Sequence, residues 1–386
     1  IILENRNGWH SGETMPLGER LLFARVRAGL TLSQVRARTE IGESSLSEFE
    51  NGRREPSLSQ LQKLAALYER SIEFFLSDDP LPASTAVLWR ERPVTNAEQL
   101  EVHFLRLCEQ FHNLEIWCND VSESFLPDCA PTVSKFGRYH AKQLAKRVRD
   151  DLQLGDRPGQ NLLRVLEEVC KIKIFHLSFD PSGAAASTKD ERFGCAVLLN
   201  AKNARWRRNF DLAHELFHLL TWNYFRHSDG AVSTVASDEE EQLANIFASN
   251  VLMPEDVLKL TLGKFESDGK ITLSSEAMCS IAREFDVSID AIMWQLHFIF
   301  RSPGDKEKTI KEIKQLKQHD SLFEQREQEP ASVWPARYRA LAVQALLSGE
   351  VSIGRFAEYL NISRHDAARY LEPEMAESEE VQFITA

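Results

Sequence analysis

Paired cysteines are the first thing this chain is without. Its six cysteines (Cys108, Cys118, Cys129, Cys170, Cys195 and Cys279) are scattered over 386 residues, with no Cys-x-x-Cys spacing. That excludes a disulfide-stapled small domain and a cysteine metal knuckle, and it fits a reduced, cytoplasmic setting. Long apolar runs are missing too. None approaches the roughly 20 residues of a membrane span, and no apolar leader is read, so no membrane partner is expected. Positive charge is short: 46 Lys and Arg against 58 Asp and Glu give a net charge of −12. A protein that coats nucleic acid over its whole surface is excluded; any DNA contact must come from a local patch. Otherwise the balance is that of a globular protein, with 43% hydrophobic and 27% charged residues. The length points to about two to four domains.

What is present centres on His214-Glu215-Leu216-Phe217-His218, inside the unbroken apolar periodicity of Phe210 to Leu220. Residues four apart share a helix face, so both imidazoles point the same way and can hold one zinc ion. Glu215, beside the first of them, is placed to act as general base toward a water held there. A catalytic zinc needs a third protein ligand. The next helical stretch, Asp238 to Met253, stops at Pro254 and carries Glu241 and Asn245 on one face. Glu241 can ligate, and Asn245 can hydrogen-bond a histidine of the first helix. From His218 to Glu241 is 23 residues, room for a turn and an antiparallel return.

The run from Arg208-Asn209-Phe210-Asp211-Leu212-Ala213 through this box to Ala244-Asn245-Ile246-Phe247-Ala248 and Leu252-Met253-Pro254 resembles the ImmA/IrrE family of metallopeptidases. Two separated motifs match in the right order. Asp211 stands where the family often has Thr, and Phe217 where it often has Gly; neither is a ligand position. The resemblance implies a gluzincin-like domain with zinc as cofactor (manganese being the alternative), His214, His218 and Glu241 as ligands and Glu215 as catalytic base. It also implies cleavage of a repressor of the Xre type, switching on a stress, DNA-damage or mobile-element response. The substrate is a separate repressor or the chain's own DNA-binding part. Two other readings stay open: a transcription regulator whose metal site is structural or senses a ligand, and a toxin–antitoxin or phage-defence component.

Toward the N-terminus, Thr31 begins a short helix that turns near Thr39–Gly42, and a second helix ends at Asn51-Gly52. Val35, Ile41, Leu46 and Phe49 are spaced to pack the two together. This resembles the five-helix, helix-turn-helix domain of the Xre and lambda-repressor family, over about residues 17–77. The resemblance implies that a dimer binds DNA, with Glu43, Ser44, Ser45 and Ser47 at the major groove, Ser33 and Gln34 at the backbone, and Arg53 and Arg54 following it.

The remaining organisation reads as mainly α with a small β-sheet, an α+β chain. Residues 1–77 form the DNA-binding domain, 78–130 a proline-marked linker and a long helix from Ala97, 131–300 the peptidase domain, and 301–386 a helical region with an acidic tail. Strands are expected at Lys173–Leu177, Ala184–Ser187 and Cys195–Asn200; a sheet edge there could hold an extended substrate by backbone pairing. Two further helix-turn-helix-like patterns occur at Met278–Ile292 and Ile353–Ala368. Lys306 to Gln328 reads as a charge-rich helix or linker. Tyr224, His227 and His297 are candidates for an oxyanion donor.

Overall fold

The computed structural model describes residues 16–28, 30–68, 70, 72–77, 86–121, 126, 135–180, 185–226, 235–267, 270–271, 273–300, 311 and 331–371. The N-terminal tail, Lys306–Gln328 apart from Lys311, the acidic tail and His227 lie outside them. The chain divides into two compact units, residues 1–85 with 94–109, and 86–93 with 110–386. It therefore passes between them three times.

In the first unit five helices follow one another: α1 (Leu17–Arg27), α2 (Leu32–Thr39), α3 (Glu43–Glu50), α4 (Leu58–Leu67) and α5 (Ile72–Leu76). Capping boxes open α2 and α4: Thr31 and Ser57 accept from the backbones of Gln34 and Gln60, whose side chains accept in return. Val35, Ile41, Leu46 and Phe49 are buried in one core with Leu61, Leu64 and Phe75. Arg25 clamps Glu50 through two nitrogens at 2.6 and 2.9 Å, fixing α3 against α1. Gly18 is required there, since a side-chain carbon would sit 2.6 Å from the Phe49 carbonyl.

The second unit begins with a short strand, β1 (Val87–Trp89), where proline spacing suggests only a linker. The long helix α6 (Ala97–Trp117) starts in the first unit and ends in the second. Helices α7 (Arg138–Asp151) and α8 (Pro158–Arg164) follow, the latter continued by a π-helical turn at Val165–Val169. Then come β2 (Lys173–Leu177), β3 (Ala185–Asp190) and β4 (Gly194–Asn200). The sheet order is β1-β3-β4-β2, with β2 parallel to β4 and the other pairs antiparallel. Helix α9 (Arg205–Leu220) packs on β3 and β4, and the short α10 (Trp222–Arg226) turns the chain toward α11 (Asp238–Leu252), which packs on α9 and α7. After α12 (Glu255–Gly263) and a two-stranded ribbon, β5 (Glu266–Ser267) with β6 (Lys270–Ile271), come α13 (Ser275–Phe285) and α14 (Ile289–Phe300). The described C-terminal part is α15 (Ala336–Leu347), α16 (Ile353–Leu360) and α17 (Arg364–Arg369).

The three helix-turn-helix-like patterns share one local device. In each, the first helix ends on a non-glycine residue in the left-handed region: Glu40 (φ 63°), Asp286 (φ 57°) and Asn361 (φ 52°). In the last two, Ser288 and Ser363 accept from the backbone three residues on and start the next helix. Arg337 fastens α15 to the end of α6, reaching Glu115 at 2.6 Å and Asp120 at 2.8 Å, while its backbone N–H donates to Glu167.

Candidate metal centre

Helix α11 is built to present acids at its first turn. Ser237 accepts from the Glu240 backbone, and Asp238 to Glu241 fill the turn, where the helix dipole favours negative charge. Glu241 thereby meets the inward face of α9. The carboxylate lies 3.1 Å from His214 Nε2 and 3.3 Å from His218 Nε2, and the two Nε2 atoms are 3.1 Å apart. These three donors, all within 4.8 Å of one another, are the group among the described residues that could hold a metal ion.

The tautomers are set from behind. Arg90 donates to Asn245 Oδ1 at 3.2 Å, which fixes that amide oxygen as acceptor. His214 Nδ1, also 3.2 Å from it, must then carry the proton. His218 Nδ1 faces Glu240 Oε1 at 2.8 Å and donates likewise. Both Nε2 lone pairs are left facing each other and a carboxylate, an arrangement that repels unless a positive charge lies among them. Tetrahedral ligands at zinc distances stand roughly 3.3 Å apart, so the donor set fits that ion. In the bare cluster burial pushes His214 down to about 3. Burial opposes protonation of His218 as well, but its bonds to Glu240 and Glu241 carry it up to about 9. The paired histidines hold Glu241 well below the usual carboxylate range, against its burial.

Glu215 is fully buried, and Ser187 of β3 donates to its Oε2 at 2.7 Å. Its Oε1 has no hydrogen-bond partner. Burial raises the carboxyl to about 7, with His218 and Ser187 pulling the other way. Phe217 turns away from the metal face into a cluster with Phe136, Phe225 and Phe247, ring centroids 5.6 to 6.2 Å apart. Asp211 is buried and receives Arg90 at 2.6 Å and Arg207 at 3.2 Å.

Sequence reasoning missed four residues here. Glu240 holds His218 and is in turn paired with Arg226; nothing in four consecutive acids says which is which. Ser187 comes from β3 and Arg90 directly follows β1, both far away in sequence. Leu88 pairs with Ser187 in the antiparallel register, and such opposite residues share a face, so Leu88 and Arg90 both face α9. The sheet edges, where an extended substrate could pair, are β1 and β2; β3 and β4 lie inside the sheet. Of the oxyanion candidates, the Tyr224 hydroxyl accepts from the Phe136 backbone at 2.9 Å, and His297 is buried on α14 against Trp294, ring centroids 5.6 Å apart.

In the first unit Ser33, Ser44, Arg53 and Arg54 are exposed, and Glu43, Ser45 and Ser47 half-buried. Gln34 is committed to the α2 capping box, Ser47 Oγ lies 3.3 Å from Asn51 Nδ2, and Arg54 stands over the Phe49 ring.

Residues 167–297 match the family model of the IrrE N-terminal-like domain of M78 peptidases, and residues 21–75 match a helix-turn-helix model. The HTH-type transcriptional regulator ImmR of Bacillus subtilis (strain 168) is 38% identical over 65 residues, 17% of this chain and 51% of that protein. The match thus spans about half the length of the relative. A Mycobacterium tuberculosis transcriptional regulator structure aligns at 12% identity over 50% of this chain and 54% of its own, with a TM-score of 0.31. Apo ComR from S. thermophilus aligns at 14% identity over 96% and 98%, with a TM-score of 0.16. No described helix is long and apolar enough to cross a membrane. The chain therefore carries a helix-turn-helix domain of the Xre type at residues 21–75 and an IrrE-like domain of the M78 peptidase family at residues 167–297.

Proposed function

We propose that the chain is a zinc-dependent endopeptidase tied to a DNA-binding module, whose cut in an Xre-type repressor, or in itself, relieves repression. The observation that carries this is the convergence of His214, His218 and Glu241 within 4.8 Å, with Glu215 beside them. When bound, zinc would supply a Lewis acid that polarises the scissile carbonyl and acidifies water. Glu215 Oε1, the oxygen without a partner, takes the proton from the attacking water and hands it to the leaving amine. Ser187 meanwhile holds Oε2 and keeps the carboxylate aimed. The helix-turn-helix face offers Ser33, Glu43, Ser44, Ser45, Ser47, Arg53 and Arg54 to DNA, most naturally as a homodimer on a two-fold site.

A second reading has a specific observation in its favour. His214 and Glu215 are fully buried. Groups buried this deeply suit a regulator that senses through its metal without cutting.

The variants Glu215→Gln and Glu241→Ala separate these readings. Glu215→Gln should retain about one zinc per chain by elemental analysis and lose cleavage by about two to four orders of magnitude. Glu241→Ala should lose zinc affinity as well. The readout is accumulation of the intact repressor, or of the intact chain, in cells carrying each variant. Identical fragments and identical transcription from wild type and Glu215→Gln would leave the regulator reading in place.

A further inference from the structure

We propose that the cleft between α7, α9, α11 and α14 is a second binding site, for an amphipathic organic anion: an apolar chain or ring ending in a carboxylate or sulfonate. The cleft holds about 720 Å³, within the roughly 300–1,000 Å³ of small-molecule sites. Trp206 and Phe210 of α9 form one wall, and Trp294 and Phe298 of α14 the other. Trp294 and Phe298 stack with centroids 6.2 Å apart, and Phe298 remains 53% exposed. Aromatic surface left in water inside a concavity favours an apolar occupant.

The charges select the sign. Arg138 and Lys142 stand one helical turn apart on α7, and Arg90 and Arg207 line the opposite side. Arg90 and Arg207 share a single carboxylate, Asp211, so one guanidinium charge there is left over. Lys142 has only a distant partner, Glu255 at 3.9 Å. Asp290 is the one carboxylate among the described residues of the lining. Set against Asp211 and Asp290, the four basic groups still leave the lining net positive, so a cation is disfavoured and an anion with an apolar body meets both features of the wall.

This cleft is not the peptidase site. None of His214, Glu215, His218 and Glu241 lines it. It lies on the Nδ1 side of His214, beyond Asn245, whereas the metal donors are on the Nε2 side. The inference therefore stands whether or not the chain cuts peptides. It does place an occupant against Asn245 and Arg90, the residues that hold His214 from behind.

The test is calorimetric titration of the full-length protein with decanoate and, separately, with decyltrimethylammonium, which has the same chain and the opposite charge. Decanoate should bind saturably at one site per chain, at least about tenfold more tightly than the cation. Arg138→Ala and Phe298→Ser change exposed positions, and each should weaken decanoate by about tenfold or more, with the melting temperature unchanged. Absence of saturable binding would overturn the proposal. So would equal affinity for the two probes, or decanoate affinity that neither variant alters.

Discussion

At the scale of single residues, the proposed zinc donors depend on groups placed behind them and not toward the metal position. Glu240 accepts from His218 Nδ1 and is paired with buried Arg226. Partners of this kind usually change metal affinity by about 10–100-fold. Glu240→Ala should therefore raise the zinc dissociation constant by that factor in competition with a chelator. It should also cost about 3–5 kcal/mol of stability, because Arg226 is left charged and unpaired in the interior. Zinc affinity equal to wild type would mean that helix geometry alone orients His218. The convergence of His214, His218 and Glu241 was legible: an i, i+4 histidine pair and a downstream Glu, Asn pair at the same spacing define two faces without any knowledge of the sheet. Glu240 was not, because neighbouring acids in one turn differ only in the direction they point. Asp211 departs from the usual family residue, and its carboxylate is what Arg90 grips.

Elements add what periodicity cannot carry. Strand β1 is three residues long and bracketed by prolines, so its sequence reads as linker; only the pairing partner, β3, makes it a strand. The long helix from Ala97 was legible from its apolar stripe, and it ends at Trp117. Arg90 is the side-chain anchor of β1. Arg90→Ala should speed amide exchange of Val87–Trp89 by about tenfold or more, roughly 1.4 kcal/mol of local opening. Unchanged exchange would show that apolar packing alone holds the strand. The seat of α15 offers a pH test. Burial raises Glu167 from 4.5 to about 7, against the backbone N–H of Arg337 that donates to it. A carboxyl with a raised folded-state value favours folding below its unfolded value, and that contribution fades as pH climbs through about 7. Glu167→Gln should thus flatten the loss of stability between about pH 5 and 8, worth up to about 3 kcal/mol. Melting curves at several pH values give the slope; a slope equal to wild type would assign the pH dependence to another group.

For the whole molecule, the path of the chain matters more than either unit. Residues 94–109 belong with the helix-turn-helix helices, yet both ends of that segment run into the other unit. Arg70 meets Glu109 there at 2.7 Å, with Arg70 largely buried. A scissile bond among residues 78–85 would therefore break the backbone and leave the helix-turn-helix helices held to the first half of α6 by noncovalent contacts alone. Chain cut at an engineered protease site in 78–85 should elute as one species on a native sizing column and split into two bands only after denaturation. Elution as two species would mean that the seat is too weak to hold. Where the seat holds, self-cleavage of the proposed kind would leave the operator-bound fraction to decay with the dissociation time of a noncovalent complex. The rate of derepression is then set by how long two fragments cling together, and a denaturing gel would register the cut well before any promoter did.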